Sequence, residues 1–245
     1  VTGPTGSGKS TTLYSILSLL NTPDRNLMTI EDPVEYQVEG ITQTQVNAEI
    51  GLTFAGGLRS LLRQSPDVVL VGEIRDSETA DIGVKAALTG HLVLSTLHTN
   101  SAAGAVTRLV DMGVEPFLIV SSVILVAGQR LLRRICSHCR VEAPVSSEVL
   151  KRFASMGVDL KNINSYKGKG CERCAGSGCL GRLAAVEVLQ VDSEIRDLVL
   201  SRSSSDDIEK IARKKGMETL FENAWNLFRS GKVTLEEVLR VTYGE

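Results

Sequence analysis

A parallel α/β sheet with helices on both faces is the fold class the sequence predicts, and three observations predict it. Up to residue 134, short apolar runs alternate with amphipathic stretches, the pattern of repeated strand–helix units. The runs are nearly continuous in Val, Leu and Ile, as strands covered on both faces require. The acids, histidines and glycine-rich turn fall mostly where these runs end, on the carboxyl edge at which open α/β sheets hold ligands.

The elements follow in order. Val1-Thr2-Gly3 reads as the end of a strand entering a loop, so the chain is expected to be a fragment with its upstream part missing. Residues 9–20 read as a helix whose stripe is Leu13, Ile16, Leu17 and Leu20. A strand over 26–31 is stopped by Pro33. Then come a helix over 53–63, a strand over 67–72, a helix over 77–88, a strand over 91–97 and a helix over 101–112. The apolar stretch 116–128 is shorter than the ~20 residues of a membrane span and carries Ser121 and Ser122, so it reads as a buried core helix. From 136 to about 181 the texture changes to Cys, Gly, Lys and Ser with weak periodicity, a small metal-stapled insertion; helical patterns return after 193 in at least three segments. The expected division is an α/β core over 1–134, a tetracysteine module over 135–181 and a helical region over 182–245.

Composition narrows the function classes. With 42% hydrophobic residues and a net charge of −2 over 245 residues, the chain is neither disordered nor a general nucleic-acid coat. Aromatics at 4% leave few platforms for stacking single-stranded bases.

Gly3-Pro4-Thr5-Gly6-Ser7-Gly8-Lys9-Ser10, followed by Thr11, fits G-x-x-x-x-G-K-[ST]. The glycines let the backbone curl so that successive N–H groups, and the positive end of the next helix, point at phosphate oxygens. Lys9 is placed to reach the β- and γ-phosphates of ATP and Ser10 to bind Mg²⁺. The strand over 67–72 is the candidate for the second nucleotide motif, but Gly72 stands where an Asp usually ends that strand. Glu73 is then the natural general base, and Glu31 and Asp32 are the acids available to shape the metal's waters. His98 ends the strand over 91–97 on the phosphate side, which suits a γ-phosphate sensor; His91 begins it on the far side.

Four of five cysteines form two C-x-x-C knuckles, Cys136/Cys139 and Cys171/Cys174, enough for a closed tetrahedral Zn²⁺ site with no open position. Cys179 is left over. Arg130, Arg133, Arg134 and Arg140 read as a solvated basic face, and Arg75 and Arg108 as ion-pair partners.

Taken together, Thr5-Gly-Ser-Gly-Lys-Ser-Thr-Thr12, Thr29-Ile-Glu-Asp-Pro-Val-Glu35, Val71-Gly-Glu-Ile-Arg-Asp76 and Thr89-Gly-His-Leu-Val-Leu-Ser-Thr-Leu-His-Thr-Asn100 resemble the secretion ATPases of type II secretion and type IV pilus machines. They correspond to that family's Walker A, Asp box, atypical Walker B and His box, and the tetracysteine module points to its assembly branch, nearest the type II secretion motors. The resemblance implies a RecA-like P-loop core with Glu73 as catalytic glutamate. Glu31, Asp32 and Glu35 would be the Asp box, His91 and His98 the His-box pair, and Gly72 and Arg75 further motif residues. It also implies a homo-hexamer in the bacterial cytoplasm, peripheral at the inner membrane and docked on platform proteins, that hydrolyses Mg-ATP to assemble a type II secretion pseudopilus for export across the outer membrane. The alternatives are a type IV pilus assembly ATPase, a RecA-like nucleic-acid motor and a nucleotide-binding module that does not hydrolyse.

Overall fold

A computed structural model describes residues 1–155, 158 and 164–243. In chain order the elements are α1 (Lys9–Leu20), β1 (Leu27–Glu31), β2 (Thr42–Gln45), α2 (Phe54–Leu62), β3 (Val68–Val71), α3 (Ser77–Leu88), β4 (Leu92–Ser95), α4 (Ala102–Asp111) and α5 (Pro116–Ser122). After these come β5 (Leu125–Ile135), β6 (Arg140–Glu142), α6 (Ser147–Ser155), β7 (Tyr166–Gly168), β8 (Cys179–Gln190), α7 (Ser193–Leu200), α8 (Ser205–Lys214), α9 (Leu220–Arg229) and α10 (Leu235–Tyr243).

The predicted parallel α/β core is present. Strands β2-β1-β3-β4 lie in that order, all neighbours parallel. Thr2 continues the sheet through parallel bridges to Leu97 and Gly128. The side-chain period of two sorts each central strand between two helical layers. Leu27, Val68 and Leu70 pack with Leu13, Tyr14 and Leu17 of α1. Met28, Ile30, Val69 and Val71 pack with Ala55, Leu58 and Leu61 of α2 on the other face. Leu17, Ile30, Leu58 and Val69 are wholly buried, each worth roughly 1.5–3 kcal/mol against exposure. The same parity puts Thr29, Glu31 and, one strand over, Gly72 on the α1 face, and that placement builds the site.

Three helices that follow strands or loops of this core begin with a side-chain cap. The Oγ1 of Thr53, Oδ1 of Asp76 and Oγ of Ser101 accept from the N–H groups of Gly56, Thr79 and Gly104 at 3.1, 2.7 and 3.1 Å, each cap worth about 1 kcal/mol. Helix α1 starts differently. Its N-cap is Gly8 at φ 86°, with no side-chain cap, and a glycine-rich loop entering a helix N-terminus is the arrangement that suits an anion.

Two readings of the sequence are corrected. The stretch 116–128 is not one buried helix: α5 ends at Ser122 and β5 begins at Leu125. Phe117, Ile124 and Leu125 are exposed, and the Val–Ile–Leu–Val run that follows the two serines suits a strand better than a helix. The segment 136–181 holds more structure than its weak periodicity indicates, including the antiparallel pair β6–β7 and helix α6.

The chain forms two compact units, Val1–Gly128 with Val188–Met217, and Gln129–Glu187 with Glu218–Glu245. The second unit has its own core, in which Phe153 of α6 is wholly buried among Leu132, Ala185, Phe228 and Val238. Phe153 also lies 6.3 Å from Phe221 and 5.7 Å from Trp225 between ring centroids. No helix among the described residues is long and apolar enough to cross a membrane.

Candidate nucleotide site and cysteine cluster

The phosphate loop runs from Gly3 to Ser10, with Gly3, Gly6 and Gly8 at φ 150°, 78° and 86°, a run of left-handed turns that favours Gly. Lys9 is buried, and its Nζ donates to the carbonyl oxygens of Gly3 at 2.9 Å and Pro4 at 3.1 Å. The ammonium therefore holds the loop's own carbonyls while its stem is fixed in the helix, within reach of phosphate oxygens that would compete for it. Pro4, Thr5, Gly6, Ser10 and Thr11 are exposed on the loop, and Ser7 is buried beneath it.

Thr2, read from the sequence as part of a strand end, ties the loop to the segment after β4 that carries His98. Its Oγ1 donates to the Leu97 or Thr99 carbonyl, both at 3.0 Å, lies 2.6 Å from Thr99 Oγ1, and accepts from Thr99 N at 3.0 Å.

Glu73 follows β3 and is 7% exposed. Its Oε2 accepts from Arg75 Nε at 2.6 Å and lies 3.2 Å from His98 Nε2. The structure thus gathers Glu73, Arg75 and His98 into one cluster. It does not bring His91 there: His91 precedes β4, on the opposite edge, and its Nδ1 lies 2.9 Å from the Ala86 carbonyl at the end of α3.

Gly72 has a geometric reason. A Cβ there would lie 3.2 Å from Glu31 Cα and 3.3 Å from the Ile30 carbonyl oxygen, backbone atoms of the neighbouring strand. Gly72 N donates to that same carbonyl at 2.8 Å. A larger residue here would press on the β1 backbone where both strands end at the site.

Glu31 is 4% exposed and its carboxylate is surrounded by donors of this chain. The Tyr14 hydroxyl donates to Oε2, and Thr29 Oγ1 and Gln43 Nε2 donate to Oε1 at 2.5 and 3.3 Å. Burial, then the Glu31 carboxylate, push the Tyr14 hydroxyl's pKa up, so it stays a donor. Asp32 and Glu35, by contrast, are exposed. Tyr14, Thr29 and Gln43 are further residues the sequence reading passed over. The visible signal was two polar residues at i and i+2, Thr29 and Glu31, in an otherwise apolar strand.

The four predicted cysteines converge, all sulfurs within 4.8 Å of one another. The sulfurs lie 3.9 Å apart in Cys136–Cys171, 3.9 Å in Cys139–Cys174 and 3.7 Å in Cys171–Cys174. Four sulfurs at ~2.3 Å from a central Zn²⁺ stand about 3.8 Å apart at the corners of a tetrahedron, so the cluster fits that ion. A disulfide needs ~2.05 Å. The Cys171 N–H donated to Cys174 Sγ favours its thiolate and pulls that thiol down to about 6.

Three of the four arginines of the expected solvated basic face, Arg133, Arg134 and Arg140, are exposed. Arg133 donates through its backbone N and Nε to the buried Glu237 at 2.7 and 2.8 Å. Arg140 lies 4.9 Å over the Tyr166 ring, and Arg130 is half-buried.

A parallel sheet, a phosphate loop opening an uncapped helix and a buried Glu at the adjacent strand end define the P-loop nucleotide-binding class, here in its RecA-like form. Comparison with known proteins narrows it. Residues 1–240 match the type II/IV secretion system protein family, and the chain belongs to that family. It is 56% identical over 242 residues to the type IV pilus assembly ATPase PilB of Thermus thermophilus, covering 99% of this chain and 27% of that protein. It is 51% identical over 246 aligned positions to the type II secretion system protein E of Pseudomonas aeruginosa, covering all of this chain and 48% of that one. Among solved structures, the pilus retraction motor PilT with bound ADP superposes at a TM-score of 0.72 with 30% identity, over 99% of this chain and 60% of that one. The chain therefore spans from about a quarter to about half of the curated relatives it matches.

Proposed function

We propose that the chain is the Mg²⁺-dependent ATPase part of a motor that assembles a type II secretion pseudopilus and so drives protein export across the outer membrane. The observation that carries the ATPase reading is the buried Glu73 at the end of β3, beside His98, on the sheet edge that also carries the phosphate loop and the ammonium of Lys9. In this reading the loop amides and Lys9 bind the β- and γ-phosphates, and Glu73 takes the proton from the attacking water. His98 senses the γ-phosphate. Ser10 and Asp32 supply hard oxygen donors suited to Mg²⁺ and its waters, and the ion when bound neutralises charge on the phosphate oxygens. Zn²⁺ at the four cysteines is structural, since four thiolates leave no open position.

The working form is a homo-hexamer in the bacterial cytoplasm, held at the inner membrane through platform proteins. Type II secretion, named for several relatives, is the main reading. A type IV pilus assembly ATPase is the second, favoured by the 56% identity to PilB.

The test pairs two variants. Lys9→Ala should abolish ATP binding by calorimetry. Glu73→Gln should still bind, while hydrolysis falls by about 10²-fold or more, as for loss of a general base. A Glu73→Gln chain with near-normal turnover would remove Glu73 from its role, and an unchanged affinity in Lys9→Ala would remove the phosphate loop.

A further inference from the structure

The Tyr14 hydroxyl is a junction of three segments. Tyr14 lies on α1, five residues after Lys9, and is 2% exposed. It donates to Glu31 Oε2 at the end of β1 and accepts from Glu35 N and Gln43 Nε2, each at 3.3 Å. Gln43 is the register partner of Thr29 on the edge strand β2 and also donates to Glu31 Oε1. Its own Oε1 accepts from Val38 N at 2.7 Å. The helix that starts at the phosphate loop is thus joined to both ends of the acidic segment 31–35 and to the strand beyond it. The Tyr14 ring is held edge-on against Tyr36, 4.7 Å between centroids, which leaves the hydroxyl little freedom to turn elsewhere.

Resting on the Mg-ATPase reading above, we infer that Tyr14 is a positioning residue for the divalent cation: acting through Glu31 and the Glu35 backbone, it fixes the acidic segment relative to the phosphate loop. Glu31 is the buried anchor of that segment, and Asp32 is the acid exposed to the ion's waters. Two features support this division. The two oxygens of Glu31 already accept three hydrogen bonds from the chain, whereas Asp32 is exposed. The bonds also run to backbone as well as side chain, so losing the hydroxyl loosens where the segment sits without altering the phosphate loop itself.

The experiment measures fluorescent-ADP affinity of the full chain with and without Mg²⁺, and the Mg²⁺ concentration for half-maximal binding. It uses the parent, Tyr14→Phe, Glu31→Gln and the double variant. Tyr14→Phe should keep its Mg²⁺-free ADP affinity within about twofold and require about tenfold more Mg²⁺, the low end of what an outer partner of a metal ligand is worth. The double variant should be no worse than the poorer single one, because both break one linkage. A parent-like Mg²⁺ requirement in Tyr14→Phe, or additive effects in the double variant, would overturn the inference. A parent that binds no ADP would instead overturn the nucleotide reading on which it rests. A parent that binds Mg-ADP without hydrolysing ATP leaves this readout intact. Should Tyr14→Phe not fold, Gln43→Ala on the edge strand carries the same test, with a smaller rise in the Mg²⁺ requirement expected and none overturning it.

Discussion

Glu73 and His98 share one carboxylate oxygen, and that contact separates their roles. His98 is half exposed and reaches Glu73 from the end of its strand, so His98→Ala should lower hydrolysis several-fold more than it lowers ADP affinity, measured by steady-state phosphate release against calorimetry. Equal losses in both would return His98 to a structural part. At Glu237, a second buried carboxylate, burial pushes the pKa up, but the guanidiniums of Arg240 and Arg133 and the Arg133 N–H outweigh it and hold the group below its ordinary value. A depressed carboxylate stabilises the fold above the unfolded value of about 4.3, and that stability is lost as pH falls through the folded value. Glu237→Gln should therefore cost about 1–3 kcal/mol near neutrality, with the gap to the parent narrowing as unfolding is followed below pH 5. Parallel curves down to pH 3 would show that the charge contributes nothing. At this scale the sequence displayed the residues that sit in recognisable spacings, such as Lys9, Glu73, His98 and the four cysteines. It hid Tyr14, Thr2 and Gln43, because a Tyr beside an apolar helical stripe and a Thr-Gln alternation look like ordinary core and edge until the partner segments are folded against them.

Strands β1 and β3 meet at the position where Gly72 leaves room, and this contact is a property of the pair rather than of one residue. Gly72→Ala should press on the Glu31 backbone, cost about 1–3 kcal/mol as overpacking does, and lower hydrolysis beyond what the stability loss explains. Thermal unfolding and phosphate release on the same preparation check it; a variant with parent-like values in both would mean that the strands yield freely. Core helices α1 and α3 were legible to their ends, because Gly8 and Asp76 mark their starts and an unbroken stripe carries them through. Strand β2 escaped notice: it is four polar residues long, and its place is set by pairing with β1 rather than by its own pattern. Helix α6 escaped for a related reason. It is only nine residues long, and the buried Phe153 finds its partners in α9, about seventy residues onward.

Each compact unit holds one of the two predicted centres: the phosphate loop, Glu31, Glu73 and His98 lie in the first, and all four cysteines in the second. Cys174→Ser should accordingly lose stoichiometric zinc and weaken the second unit, since metal affinity there is folding free energy. Its ADP affinity should stay within about twofold. Metal analysis, protease susceptibility and fluorescent-ADP titration on one sample distinguish the outcomes, and loss of ADP binding together with zinc would make the cysteine cluster a support for the nucleotide site.

The units are also interleaved along the chain, which passes from one to the other after residues 128, 187 and 217. On a ribosome, the nucleotide unit cannot close until Met217 has emerged, and by then every cysteine has already been exposed as a nascent thiol. Helices α4 and α5, made from the first 128 residues, must wait for α7 and α8 to cover part of their apolar surface. Contacts this distant in sequence slow folding. Cutting the gene anywhere between residues 128 and 217 would yield two incomplete units rather than two domains, so neither half is expected to be inherited or shuffled alone.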